Sequence, residues 1–78
     1  VSHVTRMHNT ETIQARFGER IRSLRTQSGM SQEVFADKCG LDRTYISGIE
    51  RGVRNPTLLV INVLAKGLDV KLKALFDW

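Results

Sequence analysis

Apolar residues along this chain fall three and four positions apart, and the segments they define read as helices with no strand among them. Between residues 11 and 28, Ile13, Phe17, Ile21 and Leu24 form one stripe, which predicts an amphipathic first helix with Thr10 as its N-cap and Gly29 as its stop. Ser31 supplies a capping oxygen for a second helix over 32–39, whose inward residues are Phe35, Ala36 and Cys39 and whose stop is Gly40. Only Gly40, Leu41 and Asp42 intervene before a third helix, capped by Asp42 and running from 43 to about 51, so these two helices must cross steeply. Gly52 closes the third helix. Asn55 and Pro56 predict the opening of a fourth, ending near Lys66 with Gly67 as stop, and a last short helix spans about 70–76. The expected architecture is all-α: a compact five-helix domain over 11–78 containing a helix-turn-helix, behind a mobile arm over 1–10.

The third helix divides sharply. At about 100° per residue, Arg43, Thr44, Ser47, Gly48 and Arg51 share an arc of about 140° opposite Ile46 and Ile49. One side packs. The other carries two guanidinium groups, two hydroxyls and little relief, which suits entry into a DNA major groove about 12 Å wide. The fourth helix is apolar on two faces: Leu58, Ile61, Leu64, Ala65 and Leu68 form the stripe expected to face the core. Leu59, Val60 and Val63 form a second, about 145° away. That second stripe, joined by Phe76 and Trp78, reads either as scattered surface apolar residues or as a homodimer interface, the latter being favoured.

Composition sharpens this picture modestly. Twelve Lys and Arg against eight Asp and Glu give a formal charge of +4 over 78 residues, which favours a polyanionic partner without identifying one. No apolar run approaches the roughly 20 residues of a membrane span, so the expected location is cytoplasmic with no membrane partner. The single cysteine, Cys39, rules out an internal disulfide and reads as a core residue. His3 and His8 lie in the arm, where no metal role is expected, and Met7 raises the prospect that residues before it are not native. There is no nucleophile and base pairing, phosphate loop or metal cluster, so no catalytic residue, cofactor or small-molecule ligand is expected. With nothing following the helical domain, control is expected through protein concentration, operator layout or a partner protein.

The run QEVFADKCGLDRTYISGIER over 32–51 resembles the helix-turn-helix signature of the lambda-type repressor, or XRE, family. Ala36, Gly40, Ile46 and Ile49 stand where that pattern wants a small residue, the turn glycine and two core residues. The likeness extends over 17–76, and LDRTYISGIERGVRNPT is closest in look to controller proteins of restriction-modification systems. The resemblance implies a dimeric regulator on an inverted-repeat operator of double-stranded DNA. Arg43 and Thr44 then read base edges, with Ser47 and Gly48 deeper on the same face. Gln32 contacts phosphate and braces Arg43, while Arg51, Arg54 and Asn55 hold the DNA backbone. Tyr45 stands between packing at the core edge and a phenol-to-phosphate bond. Arg25 and Glu50 match a partly buried ion pair of the family, although a glutamate here is equally consistent with solvation. Glu33 and Asp37, four apart on the second helix, match an acidic patch that touches RNA polymerase in lambda-type repressors, against the plainer reading of a solvated face. An antitoxin or adaptor acting through a protein partner is the alternative function.

Overall fold

Four residues with short polar side chains start the four helices. The computed structural model describes residues 12–78, and over them α1 (Ile13–Gln27), α2 (Gln32–Cys39), α3 (Arg43–Glu50) and α4 (Leu58–Leu68) are followed by a 3-10 turn (Leu72–Phe76). Thr12, Ser31 and Thr57 each accept a hydrogen bond from the backbone N–H three residues on, at 3.0, 3.1 and 3.2 Å. Asp42 accepts from the Thr44 N–H, two residues on, at 3.0 Å. Each cap satisfies a donor that the first helical turn leaves without a partner. Thr12, and not Thr10 as expected, caps α1; the expectations for both histidines and for the arm over 1–10 lie outside the described residues.

The helices also end alike. Met30, Leu41, Val53 and Val70 each donate a backbone N–H to the carbonyl five residues back, at 3.3, 2.9, 3.0 and 3.1 Å. This closure needs a left-handed residue just past each helix, and Gly40 at φ 68° supplies it within the tight turn between α2 and α3. At the end of α4 the left-handed residue is Asp69 at φ 58°, a role that aspartate tolerates better than most side chains.

Three further boundary expectations are corrected. Helix α4 starts at Leu58 behind Thr57, whose hydroxyl supplies the cap, and not at Asn55 and Pro56. Gly67 does not stop α4; it lies buried inside the helix, where an added Cβ would come within 2.5 Å of Cys39 Sγ and 3.1 Å of Phe35. Glycine stands there for close packing of α4 on α2. The expected fifth α-helix is a five-residue 3-10 turn, because Asp69 is committed to ending α4 and Lys71, which precedes the turn, makes no side-chain cap. The all-α helix-turn-helix architecture stands, with four α-helices among the described residues.

The core gathers one face from each element. Phe17 and Ile21 of α1, Phe35 and Ala36 of α2, Ile46 and Ile49 of α3, Leu64, Ala65 and Leu68 of α4, and Leu75 are buried together. Two residues expected inside are not: Ile13 is 65% exposed and Leu58 is 74% exposed. Each is the first residue of its helix, so its side chain lies at the end of the stripe and beyond the packed centre. Cys39 is half-buried against the core, and burial pushes its thiol pKa up, as expected of a packing residue.

Helix α1 lies unusually close to α3. A Cβ at Gly18 would stand 2.3 Å from the Ile49 carbonyl oxygen and 2.6 Å from that of Glu50, both backbone atoms that cannot swing aside. Gly18→Ala is therefore expected to destabilise the fold by about 1–3 kcal/mol through overpacking. Urea denaturation should show a lower midpoint at unchanged slope; an unchanged midpoint would contradict the close approach.

Candidate nucleic-acid interface

Helix α3 is buried over most of its circumference, by Ile46, Ile49, Gly48 and Glu50, and it presents its N-terminal end to solvent. Arg43 and Thr44 are exposed there and Ser47 is half-buried. Helix α2 ends against the start of α3 through the Gly40 turn, which sets Gln32 beside Arg43. The Gln32 Oε1 lies 3.4 Å from Arg43 Nη1.

The exposed end has a defined hydrogen-bonding polarity. Asp42 Oδ1 accepts from both the backbone N–H and the hydroxyl of Thr44, each at 3.0 Å, and these two donors hold the Asp42 carboxyl pKa below its ordinary value. Because the Thr44 hydroxyl proton is committed to Asp42, that oxygen meets a ligand through its lone pairs, beside its methyl group.

Beneath this surface lies a buried polar network. Arg25 of α1 donates to Glu50 of α3 through Nε at 2.6 Å and Nη2 at 3.0 Å, while its Nη1 donates to the Met30 carbonyl at 2.7 Å. The Nε2 of Gln32 donates to Glu50 Oε1 at 3.0 Å. The ion pair expected between Arg25 and Glu50 is thus present, with side chains 11% and 3% exposed. Among the described residues no buried side-chain nitrogen or oxygen lacks a partner.

The segment after α3 completes the surface. Arg54 lies with its guanidinium carbon 5.4 Å from the centre of the Tyr45 ring, and its aliphatic stem covers Gly48, where a Cβ would meet Arg54 Cγ at 2.8 Å. Gly48 is therefore buried beneath Arg54 and does not lie open on the helix face as expected. Tyr45 is half-buried at the edge of the core with its ring stacked on Arg54. Arg51, which follows the last residue of α3, and Asn55 are exposed. On α2, Glu33 and Asp37 are both exposed.

The helix-turn-helix family profile matches residues 21–75. The control protein C.BamHI of Bacillus amyloliquefaciens is 47% identical over 70 residues, covering 88% of this chain and 86% of its own. Control protein C.MunI of a Mycoplasma species is 43% identical over 66 residues, covering 83% and 89%. This chain belongs to the restriction-modification controller proteins of the helix-turn-helix family. The solved controller protein C.AhdI from Aeromonas hydrophila superimposes with a TM-score of 0.80 at 49% identity, over 81% of this chain and 96% of that one. A second controller, C.Esp1396I, has been solved as a tetramer in complex with its natural 35-base-pair operator; it is 42% identical at a TM-score of 0.78, over 85% of this chain and 88% of that one.

Of the residues expected at a dimer interface, Leu59, Val60 and Val63 lie on α4, and the rings of Phe76 and Trp78 adjoin with their centres 6.0 Å apart. Leu59 is 74% exposed and lines a shallow apolar groove with Leu58, Asn62 and Leu72. Val60 and Val63 are half-buried, Val60 against its own core. Phe76 stacks on Phe17 at 5.4 Å and lines a different cleft with Ile13, Pro56 and Ile61, while Trp78 borders α1 near Arg16 and Arg20. Leu58 and Leu72 belong to the exposed groove but escaped the sequence reading: Leu58 matched the core stripe and Leu72 lay in the segment read as a short helix. Gly18 escaped because a mid-helix glycine carries no period; its spacing of three from the buried Ala15 was the available signal.

Proposed function

We propose that this protein is a sequence-specific, double-stranded DNA-binding transcriptional regulator that acts as a homodimer on an inverted-repeat operator, as a controller of a restriction-modification system. The observation that carries the reading is α3, a helix buried on three sides that leaves Arg43 and Thr44 open at one end. Arg43 can hold guanine O6 and N7 bidentately, and the Thr44 oxygen accepts from an adenine or cytosine amino group while its methyl suits thymine. Ser47 extends this contact along the face. Gln32, Tyr45, Arg51, Arg54 and Asn55 surround it and fix the register through phosphates, with Arg54 steered by its stack on Tyr45. The solved operator complex of C.Esp1396I supports the same use of the fold here.

The role is that of a binding protein and not of an enzyme. Among the described residues no helix is long and apolar enough to cross a membrane, which agrees with action on cytoplasmic DNA.

The assignment separates two arginines. Arg43→Ala is expected to weaken binding to the preferred operator by about 1–3 kcal/mol and to relax the preference at one base pair, whereas Arg54→Ala weakens all sequences alike. Binding titrations on operator and random duplexes measure both. Equal losses from Arg43→Ala on the two DNAs would contradict base reading.

Pairing of two copies is read onto the groove of Leu58, Leu59 and Leu72, because three exposed leucines on adjoining elements form a contiguous apolar surface. Leu59→Glu is expected to give a folded monomer with weakened operator binding, since its charge would be stranded in the contact. Sedimentation that finds the unmodified protein monomeric at micromolar concentration would contradict the pairing.

Exposed carboxylates beside DNA oppose phosphate binding, so Glu33 and Asp37 are read as the contact to RNA polymerase that lets a bound dimer activate as well as repress. Replacing both by their amides, Glu33→Gln with Asp37→Asn, should preserve operator affinity and abolish activation in a transcription assay. Activation that persists at full affinity would remove this role.

A further inference from the structure

The two ends of a glutamine amide are opposite in character, since the oxygen accepts and the nitrogen donates. Gln32 uses both ends at once. Its Nε2 donates to Glu50 Oε1 at 3.0 Å and its Oε1 faces Arg43 Nη1 at 3.4 Å. One amide orientation alone satisfies both contacts. Turned over, the amide would set its oxygen against the Glu50 carboxylate and its NH2 against the Arg43 guanidinium. Glu50 cannot adapt to a turned amide, because it is buried and Arg25 already engages both its oxygens.

We propose that Glu50 is a positioning residue for DNA reading, which sets the polarity of the Gln32 amide and through it aims Arg43 at the base edge. The inference rests on the reading of Arg43 given above. With Nη1 turned toward Gln32, the other donors of Arg43 are left for guanine. The second N–H of Gln32 Nε2 points away from Glu50 and is available to a phosphate. One amide thus couples a backbone contact to a base contact. An arginine without this tether, at the open end of a helix, reaches neighbouring phosphates as readily as a base and then adds affinity without discrimination.

Glu50→Met removes the acceptor that fixes this arrangement. Gln32 Nε2 then has no partner on α3, and its amide is free to turn away from Arg43. Arg25→Gln breaks the same ion pair but leaves the Glu50 carboxylate to accept from Gln32. Both variants lose stability, so they are compared at a temperature where circular dichroism shows them folded. The quantity read is discrimination, the ratio of affinity for the selected operator to affinity for one with the base pair read by Arg43 replaced.

Glu50→Met is expected to lower discrimination about three- to tenfold, the equivalent of one lost hydrogen bond. Arg25→Gln keeps it, and Glu50→Met adds nothing once Arg43→Ala is present. Equal discrimination in Glu50→Met, Arg25→Gln and the unmodified protein, or an equal fall in both variants, would overturn the proposal and leave Glu50 a structural residue. Discrimination unaffected by Arg43→Ala overturns base reading by Arg43, and the proposal with it. If Glu50→Met does not fold, side-chain amide exchange in the unmodified protein decides. The Gln32 Nε2 protons should exchange more slowly than those of the exposed Gln27, and equal exchange would overturn the proposal.

Discussion

A buried carboxylate in so small a protein has to be neutralised, and Glu50 is the constraint around which the rest of this molecule is arranged. Its two oxygens accept from Arg25, and one also accepts from Gln32, so a single side chain of α3 ties down α1 and α2 together. The Arg25 guanidinium also holds the Met30 carbonyl in the turn that joins α1 to α2. Removing one partner from such a pair strands the other charge, at a cost of about 3–5 kcal/mol. A wholly apolar cluster fills the same volume but fixes orientation less strictly. The polar network specifies which end of α3 is held and which is left open.

Close packing makes the network possible. Gly18 lets α1 approach the backbone of α3 near Ile49 and Glu50, and Gly67 lets α4 press against Phe35 and Cys39 of α2. With α3 seated this deeply, its exposed surface shrinks to the N-terminal end, flanked by Gln32 on one side and by the stacked Arg54 and Tyr45 on the other. The chemistry offered to DNA is therefore a small set of donors and acceptors already oriented by packing. Preorganisation of this kind reduces the entropy lost on binding.

The parts legible in the sequence are those governed by local rules. Capping by Ser31 and Asp42, the left-handed Gly40 and the periodic stripe of Phe17, Ile21, Ile46 and Ile49 each follow from residue type and spacing within one or two turns. The failures share a different cause. Pro56 has good helix-start chemistry, yet Thr57 captures the free Val60 N–H in the first turn of α4, and a choice between adjacent caps depends on the tertiary path of the chain. Gly67 looked like a stop because the steric demand upon it comes from another helix, and Gly48 looked open because Arg54 folds over it. Leu58 matched the core stripe by period but overhangs the core by position. The ion pair of Arg25 and Glu50 was available through family resemblance, whereas the bond from Gln32 to Glu50 was not, since sequence does not state which way an amide turns.

The proposed function requires α3 to deliver Arg43 and Thr44 to base edges, twice over, from a two-fold dimer. Selection of bound duplexes from a random DNA pool with the unmodified protein tests that claim most directly. The pool is predicted to converge on an inverted repeat whose half-sites are centred about 34 Å, or about one helical turn, apart, with binding that weakens steeply as salt rises. A pool that fails to converge, or that converges on a single unrepeated site, would contradict the account.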